Sequence, residues 1–189
     1  LFRTSPRCPS RPPPCPPLSS RSPPGSPPLP LTRLCSEWGD TGPVALKGVA
    51  SGADAKQAME TGFGAVWVSN HGGRQLEDSV ATFDVLPEVR KAVGPDVEVI
   101  LDGGVRRGID VVKAIARGAD SVACGRAYLF GLAAGGFNGV DKSLSLLSRD
   151  LYLAMGLLGC RSVAELKEKA PLALKKADPW GEQFPGKSM

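Results

Sequence analysis

Short apolar runs alternate with segments of helical periodicity through the middle of the chain. The apolar runs occupy residues 44–48, 65–69, 97–101 and 121–124. Nearly continuous apolar runs predict strands that are buried on both faces, as in a parallel sheet covered by helices. The pattern therefore predicts an α/β fold with four parallel strands joined by helical crossovers.

The periodic segments predict helices over residues 53–61, 82–93 and 109–117. Ser51 and Asp54 have the spacing of a capping box before the first helix, which should end at Gly62. Thr82 is the expected capping residue of the second helix. Two further helices are expected over residues 129–134 and 140–158. The second of these carries an apolar stripe typical of a core face, formed by Leu144, Leu147, Leu151, Met155 and Leu158.

Three of the predicted strands run into glycine loops that contain arginine. Residues 69–76 read SNHGGRQL, in which His71 is the only histidine of the chain and Arg74 follows three residues later. The other loops are DGGVRRG at 102–108 and the pair GR at 125–126. Histidine exchanges a proton near neutral pH, arginine grips a carboxylate with two hydrogen bonds, and glycines before a helix expose N–H groups to a phosphate. Because ligands bind beyond the carboxyl ends of parallel strands, these loops should form one site.

Each of these features also has an ordinary structural explanation. A single histidine is often satisfied by a neighbouring carbonyl group, and glycine pairs are common in tight turns. Lys47 could be a solvated surface lysine, and Ser69 could be an ordinary turn hydroxyl. Three loops in register at strand ends favour a functional site over these alternatives.

From about residue 42 to residue 165 the chain resembles the carboxyl-terminal half of the FMN-dependent α-hydroxy acid oxidases and dehydrogenases, the family of glycolate oxidase and lactate oxidase. The residues that carry the resemblance are LKG at 46–48, the three loops described above, and GCRS at 159–162. The resemblance implies the last four strand–helix units of a TIM (β/α)8 barrel, because a complete barrel needs about 250 residues. The first half of such a barrel, with its share of the site, has no counterpart in this chain.

The resemblance also implies oxidation of a small 2-hydroxy acid to a 2-oxo acid with FMN as the cofactor. His71 would be the general base and Arg74 would bind the substrate carboxylate. Lys47 and Ser69 would lie beside the flavin, and Asp102 would accept hydrogen bonds from the ribityl hydroxyls. The FMN phosphate would be held by Gly103, Gly104, Arg106, Gly125 and Arg126.

The alternative is a catalytically inactive barrel fragment that keeps affinity for FMN or phosphate, or that pairs with another half-barrel.

Arg107 is expected to be a solvated neighbour of the phosphate site. The substrate side chain and the electron acceptor stay open, and we expect a homo-oligomer when the barrel is complete. A chain limited to half a barrel should have displaced catalytic groups, and we expect little activity from it alone.

The ends of the chain differ from the middle. Residues 1–41 form a leader rich in Pro, Ser and Arg, and residues 1–36 contain no Asp or Glu, which predicts disorder. Such a leader is compatible with an organellar transit peptide or with a truncated gene model. Residues 170–189 are expected to form an extension in which Trp180 and Phe184 fold back over the barrel.

The composition excludes several other functions. Much of the net charge of +4 comes from arginines of the leader, so it does not indicate a nucleic-acid surface. No stretch is long and apolar enough to span a membrane, and we expect a soluble protein. The five cysteines lack C-x-x-C spacing, so neither a metal site nor a disulfide scaffold is expected. Cys124 and Cys160 are expected to be buried thiols.

Overall fold

A four-stranded parallel sheet with the strand order β1-β2-β3-β4 lies at the centre of the structure. The structure is a computed structural model, which describes residues 31–174. The strands are β1 (Ala45–Val49), β2 (Ala65–Val68), β3 (Glu98–Leu101) and β4 (Ser121–Val122). The predicted parallel α/β sheet is confirmed. The fourth strand is shorter than predicted, because the chain leaves the sheet after Val122 and Cys124 lies beyond it.

Six helices accompany the sheet within residues 31–174. They are α1 (Leu31–Trp38), α2 (Gly52–Thr61), α3 (Thr82–Val93), α4 (Gly108–Ala116), α5 (Arg126–Leu157) and α6 (Val163–Ala173). The disorder predicted for the leader is wrong for its last part, which forms α1. The boundary expected at residue 170 falls inside α6, and Trp180 and Phe184 lie outside the described residues.

The ends of the helices follow the predicted capping only in part. Ser51 accepts a hydrogen bond from the Asp54 N–H at 3.0 Å, and Gly62 ends α2 with φ of 102°. The cap predicted at Thr82 is wrong, because Ala81 precedes α3 and makes no side-chain cap. Thr82 is instead the first residue of the helix, and its hydroxyl donates to the carbonyl of Asp102.

The main core lies between one face of the sheet and helices α2 and α3. Successive residues of a strand point to opposite faces, and the covered face presents Val66, Val68, Val99 and Leu101, all at most 2% exposed. The opposite face carries Lys47, Trp67, Ile100 and Ser121 in register across the four strands. The polar residues of the sheet are therefore concentrated on the face that these helices leave uncovered.

A second cluster joins α4, α5 and α6. Its buried members are Val112, Ile115, Met155, Cys160, Leu166 and Ala170. The helix α5 is interrupted at Gly135 and Gly136, which agrees with the two separate helices predicted from the sequence. The predicted core stripe is confirmed at Met155, which is buried, and at Leu147, Leu151 and Leu158, which pack against the core clusters, while Leu144 is 44% exposed and does not belong to it.

Arg90 of α3 ties the amino-terminal edge of the sheet together. Its Nε donates to the carbonyl of Gly118 at 2.7 Å, and its Nη1 donates to the carbonyls of Gly94 and Val97, both at 2.8 Å. Its Nη2 forms an ion pair with Asp120. A planar guanidinium can satisfy several acceptors at once, so one side chain joins the segments that lead into β3 and β4.

Asp120 is the anionic centre of this network. Besides Arg90, it accepts hydrogen bonds from the N–H of Val99 at 2.9 Å and from Nζ of Lys167 at 2.6 Å. Burial raises the pKa of Asp120, but the hydrogen bonds from Lys167, Val99 and Arg90 outweigh it and hold the pKa below the ordinary 3.8. The ionised carboxylate therefore stabilises the packing of α6 onto the sheet.

Across residues 31–174, no helix combines the length and the apolar character needed to cross a membrane.

Candidate active site

An open cavity of about 1220 Å³ lies at the carboxyl ends of the strands. Nine of the ten predicted site residues line it, namely Lys47, His71, Arg74, Asp102, Gly103, Gly104, Arg106, Gly125 and Arg126. The tenth, Ser69, is buried and reaches the cavity wall through hydrogen bonds with Lys47 and His71. The structure therefore brings together all the residues that the sequence selected.

Lys47 lies at the centre of this arrangement. It pairs with Trp67 in the sheet register, and its Nζ lies 5.4 Å from the centre of the Trp67 ring. The same Nζ donates to Oγ of Ser69 at 2.9 Å and lies 3.3 Å from Oδ2 of Asp102. These contacts contradict the interpretation of Lys47 as a free surface lysine. They fix one positive charge in the cavity wall.

His71 lies on a tight turn directly after β2. Its φ of 55° is in the left-handed region, which residues other than glycine rarely occupy and which is found at functional sites. The N–H of His71 donates to Oγ of Ser69 at 3.2 Å, and Oδ1 of Asn70 accepts from the N–H of Gly72 at 3.1 Å. The imidazole is exposed to the cavity, where it can exchange a proton with a ligand.

Arg74 ends the same turn, and its exposed side chain lines the cavity with that of His71. A guanidinium offers two parallel N–H groups to a carboxylate. The turn thus presents a group that can accept a proton and a group that can bind an anion. The structure thus places the two side chains on the wall of one cavity.

A second turn, from Asp102 to Gly104, lines the cavity next to Lys47. Gly103 and Gly104 have φ of 101° and 76°. A Cβ atom on Gly103 would lie 2.6 Å from Oγ1 of Thr82, so no other residue fits there without rearrangement. Oδ1 of Asp102 is buried and has no hydrogen-bond partner within the described part of the chain. A buried carboxylate oxygen of this kind calls for a donor from a ligand.

The start of α4 differs from the expectation that its free N–H groups bind phosphate. Oδ2 of Asp110 accepts from the N–H groups of Arg106 and Arg107, both at 3.0 Å. Oδ2 of Asp150, from α5, accepts from the N–H of Gly108 at 2.8 Å. Because these amides already donate to carboxylates, they are not free to bind an anion, whereas the nearby arginine side chains are exposed.

The three arginines near the helix starts have different surroundings. Arg106 and Arg126 are exposed and line the cavity, and Nη2 of Arg126 donates to the carbonyl of Gly72 at 3.1 Å. Arg107 lines the cavity as well, and its side chain is exposed, as expected for a solvated neighbour, with Nε 3.5 Å from Oδ2 of Asp150. Arg126 therefore connects the loop after β4 with the turn of His71.

Several residues of the cavity were not found from the sequence. The position of Trp67 on the cavity side of the sheet follows from strand alternation once the register is known. In the sequence alone, a single tryptophan in an apolar run does not indicate a functional residue. Asp150 is separated from Gly108 by 42 residues, so no local pattern reveals their contact. Cys124 is half-buried and lines the cavity, which corrects its expected burial within a strand. Cys160 is buried as expected.

Comparison with known proteins identifies related chains. Residues 28–172 match the family described as FMN-dependent dehydrogenase. An L-lactate oxidase of Nostoc sp. is 50% identical over 124 residues, which are 66% of this chain and 34% of the relative. The 2-hydroxyacid oxidase 1 of Mus musculus is 49% identical over 138 residues, which are 71% of this chain and 37% of the relative. A pre-mycofactocin synthase of Mycobacterium tuberculosis is 52% identical over 129 residues, 68% of this chain and 32% of the relative.

Solved structures show the same similarity. A lactate oxidase of Pediococcus acidilactici superposes with a TM-score of 0.70 at 42% identity, covering 74% of this chain and 38% of that one. A mandelate oxidase with benzoyl-formic acid superposes with a TM-score of 0.64 at 46% identity, covering 66% of this chain and 37% of that one. The chain thus spans about a third of the length of the curated relatives that it matches.

Proposed function

We propose that this chain, which belongs to the family of FMN-dependent dehydrogenases, provides the carboxyl-terminal half of a (β/α)8 barrel that oxidises a small 2-hydroxy acid to a 2-oxo acid. The observation that carries the proposal is the turn of His71 and Arg74. It places an imidazole and a guanidinium on the wall of the same cavity as Lys47 and Asp102.

The residues of the cavity fit FMN as the cofactor. The unpartnered Oδ1 of Asp102 can accept a hydrogen bond from a ribityl hydroxyl, and Lys47 places a positive charge where the flavin ring would gain negative charge. Ser69 holds Lys47 in place. Arg106 and Arg126 would bind the phosphate with the help of Gly103, Gly104 and Gly125. When bound, FMN supplies the two-electron acceptor of the reaction.

The remaining steps belong to side chains of this chain. Arg74 binds the carboxylate of the 2-hydroxy acid and thereby fixes the neighbouring carbon. A ring nitrogen of His71 takes one proton from the 2-hydroxy acid as general base, and the second hydrogen leaves the substrate with the electron pair that FMN would accept. The hydrogen bond from the His71 N–H to Ser69 holds the turn that carries the ring. Ser69 thus couples the position of the base to that of Lys47.

The substrate class rests on the site rather than on a single relative. The relatives include proteins named for lactate, for 2-hydroxy acids and for mycofactocin, and a solved relative is named for mandelate. Arg74 selects a carboxylate, and a base beside it selects a hydroxyl on the adjacent carbon. A small 2-hydroxy acid satisfies both requirements.

The proposal is tested by transplanting the site into a complete barrel. The 124 residues of the Nostoc L-lactate oxidase that align with this chain are replaced by the corresponding segment of this chain, and the chimera is purified with FMN. Anaerobic addition of L-lactate, glycolate or L-mandelate should bleach the flavin absorbance. The unmodified oxidase is the positive control, and a chimera carrying Arg74→Met should bleach only at much higher substrate concentrations.

A folded chimera that binds FMN but is not bleached by any of these 2-hydroxy acids contradicts the proposed oxidation. That outcome supports the alternative, in which the chain keeps affinity for the cofactor without catalysis.

A further inference from the structure

We infer that Asn70 and Thr82 are positioning residues, which hold the turn of His71 against the turn of Asp102. Neither side chain lines the cavity, and neither was selected from the loop motifs. Their relevance to catalysis rests on the proposed function, whereas their effect on the position of His71 can be measured without it.

Asn70 fixes the turn of His71 from one side. Its Oδ1 accepts from the N–H of Gly72 at 3.1 Å, and its own carbonyl accepts from the N–H of Gly73 at 3.0 Å. Its Nδ2 donates to the carbonyl of Val80 at 3.2 Å. The side chain therefore caps the turn and also closes the loop that leads from the turn to α3. This support matters because His71 has a left-handed φ that the turn must maintain.

Thr82 fixes the turn of Asp102 from α3. It is 5% exposed, and its Oγ1 donates to the carbonyl of Asp102 at 2.6 Å. The backbone of Asp102 is also held by β2, because the N–H of Asp102 donates to the carbonyl of Val68 at 3.1 Å. Without the Thr82 hydroxyl, the half-buried carbonyl group of Asp102 would lose this donor, and the turn would have to move to find another.

The two supports meet at Gly103. A Cβ atom on this glycine would lie 2.6 Å from Oγ1 of Thr82 and 3.3 Å from Oδ1 of Asn70. Both side chains therefore face the same bare backbone position, which leaves no room for a Cβ atom. A displacement of Thr82 reaches Asp102 directly and reaches the turn of His71 through Gly103 and Asn70.

The experiment uses the sole histidine of the chain as its probe. The full chain is labelled with ¹³C-histidine, so that the Cε1–H group of His71 gives a single NMR resonance without FMN or substrate. The variants are Thr82→Val, which keeps the shape but removes the donor, Thr82→Ser, which keeps the hydroxyl, and Asn70→Ala. The matched control is Thr61→Val, which removes a threonine-to-carbonyl hydrogen bond of 2.7 Å at the end of α2.

We expect Thr82→Val and Asn70→Ala to shift or broaden the His71 resonance, whereas Thr82→Ser and Thr61→Val leave it at its original position. If Thr82→Val does not fold, Asn70→Ala carries the same test, because its side chain is only half-buried. A purely structural role would lower the melting temperature of each variant but leave the His71 resonance of the folded protein unchanged. An unchanged resonance in both variants overturns the inference.

The catalytic consequence is measured in the chimera described above. Misplacement of a catalytic group by about 1 Å can cost on the order of 100-fold in rate. We expect Thr82→Val to lower kcat by between ~10-fold and ~100-fold, with recovery in Thr82→Ser. If the parent chimera has no turnover, the proposed function fails, but the NMR result still decides whether Asn70 and Thr82 position His71.

Discussion

The ammonium group of Lys47 lies 3.3 Å from Oδ2 of Asp102, although the strands that lead to these two residues are separated by β2. The pair connects Lys47 of β1 with the residue that follows β3, on the face of the sheet that carries Trp67. Only one oxygen of Asp102 is engaged, while Oδ1 has no partner in the described part of the chain. The pair therefore orients Asp102 and leaves its second oxygen available to accept a hydrogen bond.

Replacement of Lys47 tests this orientation. Lys47→Met keeps a long unbranched side chain but removes the ammonium group that contacts Asp102 and Ser69. Loss of a hydrogen bond to a charged group costs about 1.5–3 kcal/mol, so the Kd for FMN should rise by roughly 10- to 100-fold. Quenching of FMN fluorescence measures this change in the chimera. An unchanged Kd contradicts a role of Lys47 in cofactor binding.

His71→Ala separates catalysis from cofactor binding. Removal of a general base lowers turnover by ~10² to 10⁴, while the flavin contacts of Lys47 and Asp102 stay intact. The chimera carrying this substitution should remain yellow and should be bleached correspondingly slowly by the 2-hydroxy acid. Turnover equal to that of the parent chimera would remove His71 from the mechanism.

The phosphate contacts are tested by replacing Arg106 and Arg126 together with Met. Since the amides at the start of α4 are satisfied by Asp110 and Asp150, the two side chains should provide most of the anion binding. The double variant should release FMN into the filtrate on ultrafiltration at micromolar protein. The comparison variant is Arg107→Met, which removes a third arginine of the cavity, one that is paired with Asp150, and should keep the flavin. Equal retention by both proteins would place the phosphate elsewhere.

The network around Asp120 predicts a specific dependence of stability on pH. Because the pKa of Asp120 is lowered in the folded state, its stabilisation is fully present above the ordinary pKa of 3.8 and is lost as the pH falls through the lower folded-state value. Thermal unfolding of the parent and of Asp120→Asn should therefore differ most near neutral pH and converge in acid. Other carboxyl groups titrate in both proteins and cancel in the difference. A constant difference down to pH ~2 contradicts this linkage.

The exposed apolar side chains of α5 predict that the 189-residue chain associates with itself when it is expressed alone. Phe130, Phe137 and Leu157 are 70%, 83% and 91% exposed, and within residues 31–174 β1 and β4 each pair with one strand only. Large apolar patches and open strand edges favour association. Light scattering after size exclusion should give a mass above that of one chain. Phe137→Asp combined with Leu157→Asp should lower that mass, and a monomeric parent would contradict the prediction.

The sequence predicts the parts of the fold that depend on local patterns. Apolar runs located the strands, and the glycine and arginine residues after them located the cavity, because parallel strands bring their carboxyl ends together. The sequence could not predict contacts that depend on tertiary packing. Arg90 meets Asp120 across 30 residues, and Thr82 looks like a helix cap in sequence but points to Asp102 instead. The partner of the Gly108 amide was missed because Asp150 belongs to another helix. Asp110, which accepts from the amides of Arg106 and Arg107, is close in sequence and was overlooked as a capping residue.

The hydrogen bond from Arg126 to the carbonyl of Gly72 has a thermodynamic consequence. A guanidinium has five N–H donors, so Arg126 can hold Gly72 with one of them and an anion with others. An anion that immobilises Arg126 would also restrict the turn of His71. The turn would then lose less entropy when it becomes ordered. By reciprocity, a turn that is already ordered would raise the affinity for the anion by the same factor. We therefore expect cofactor retention and the order of the His71 turn to report the same coupling free energy, that between anion binding at Arg126 and ordering of the turn.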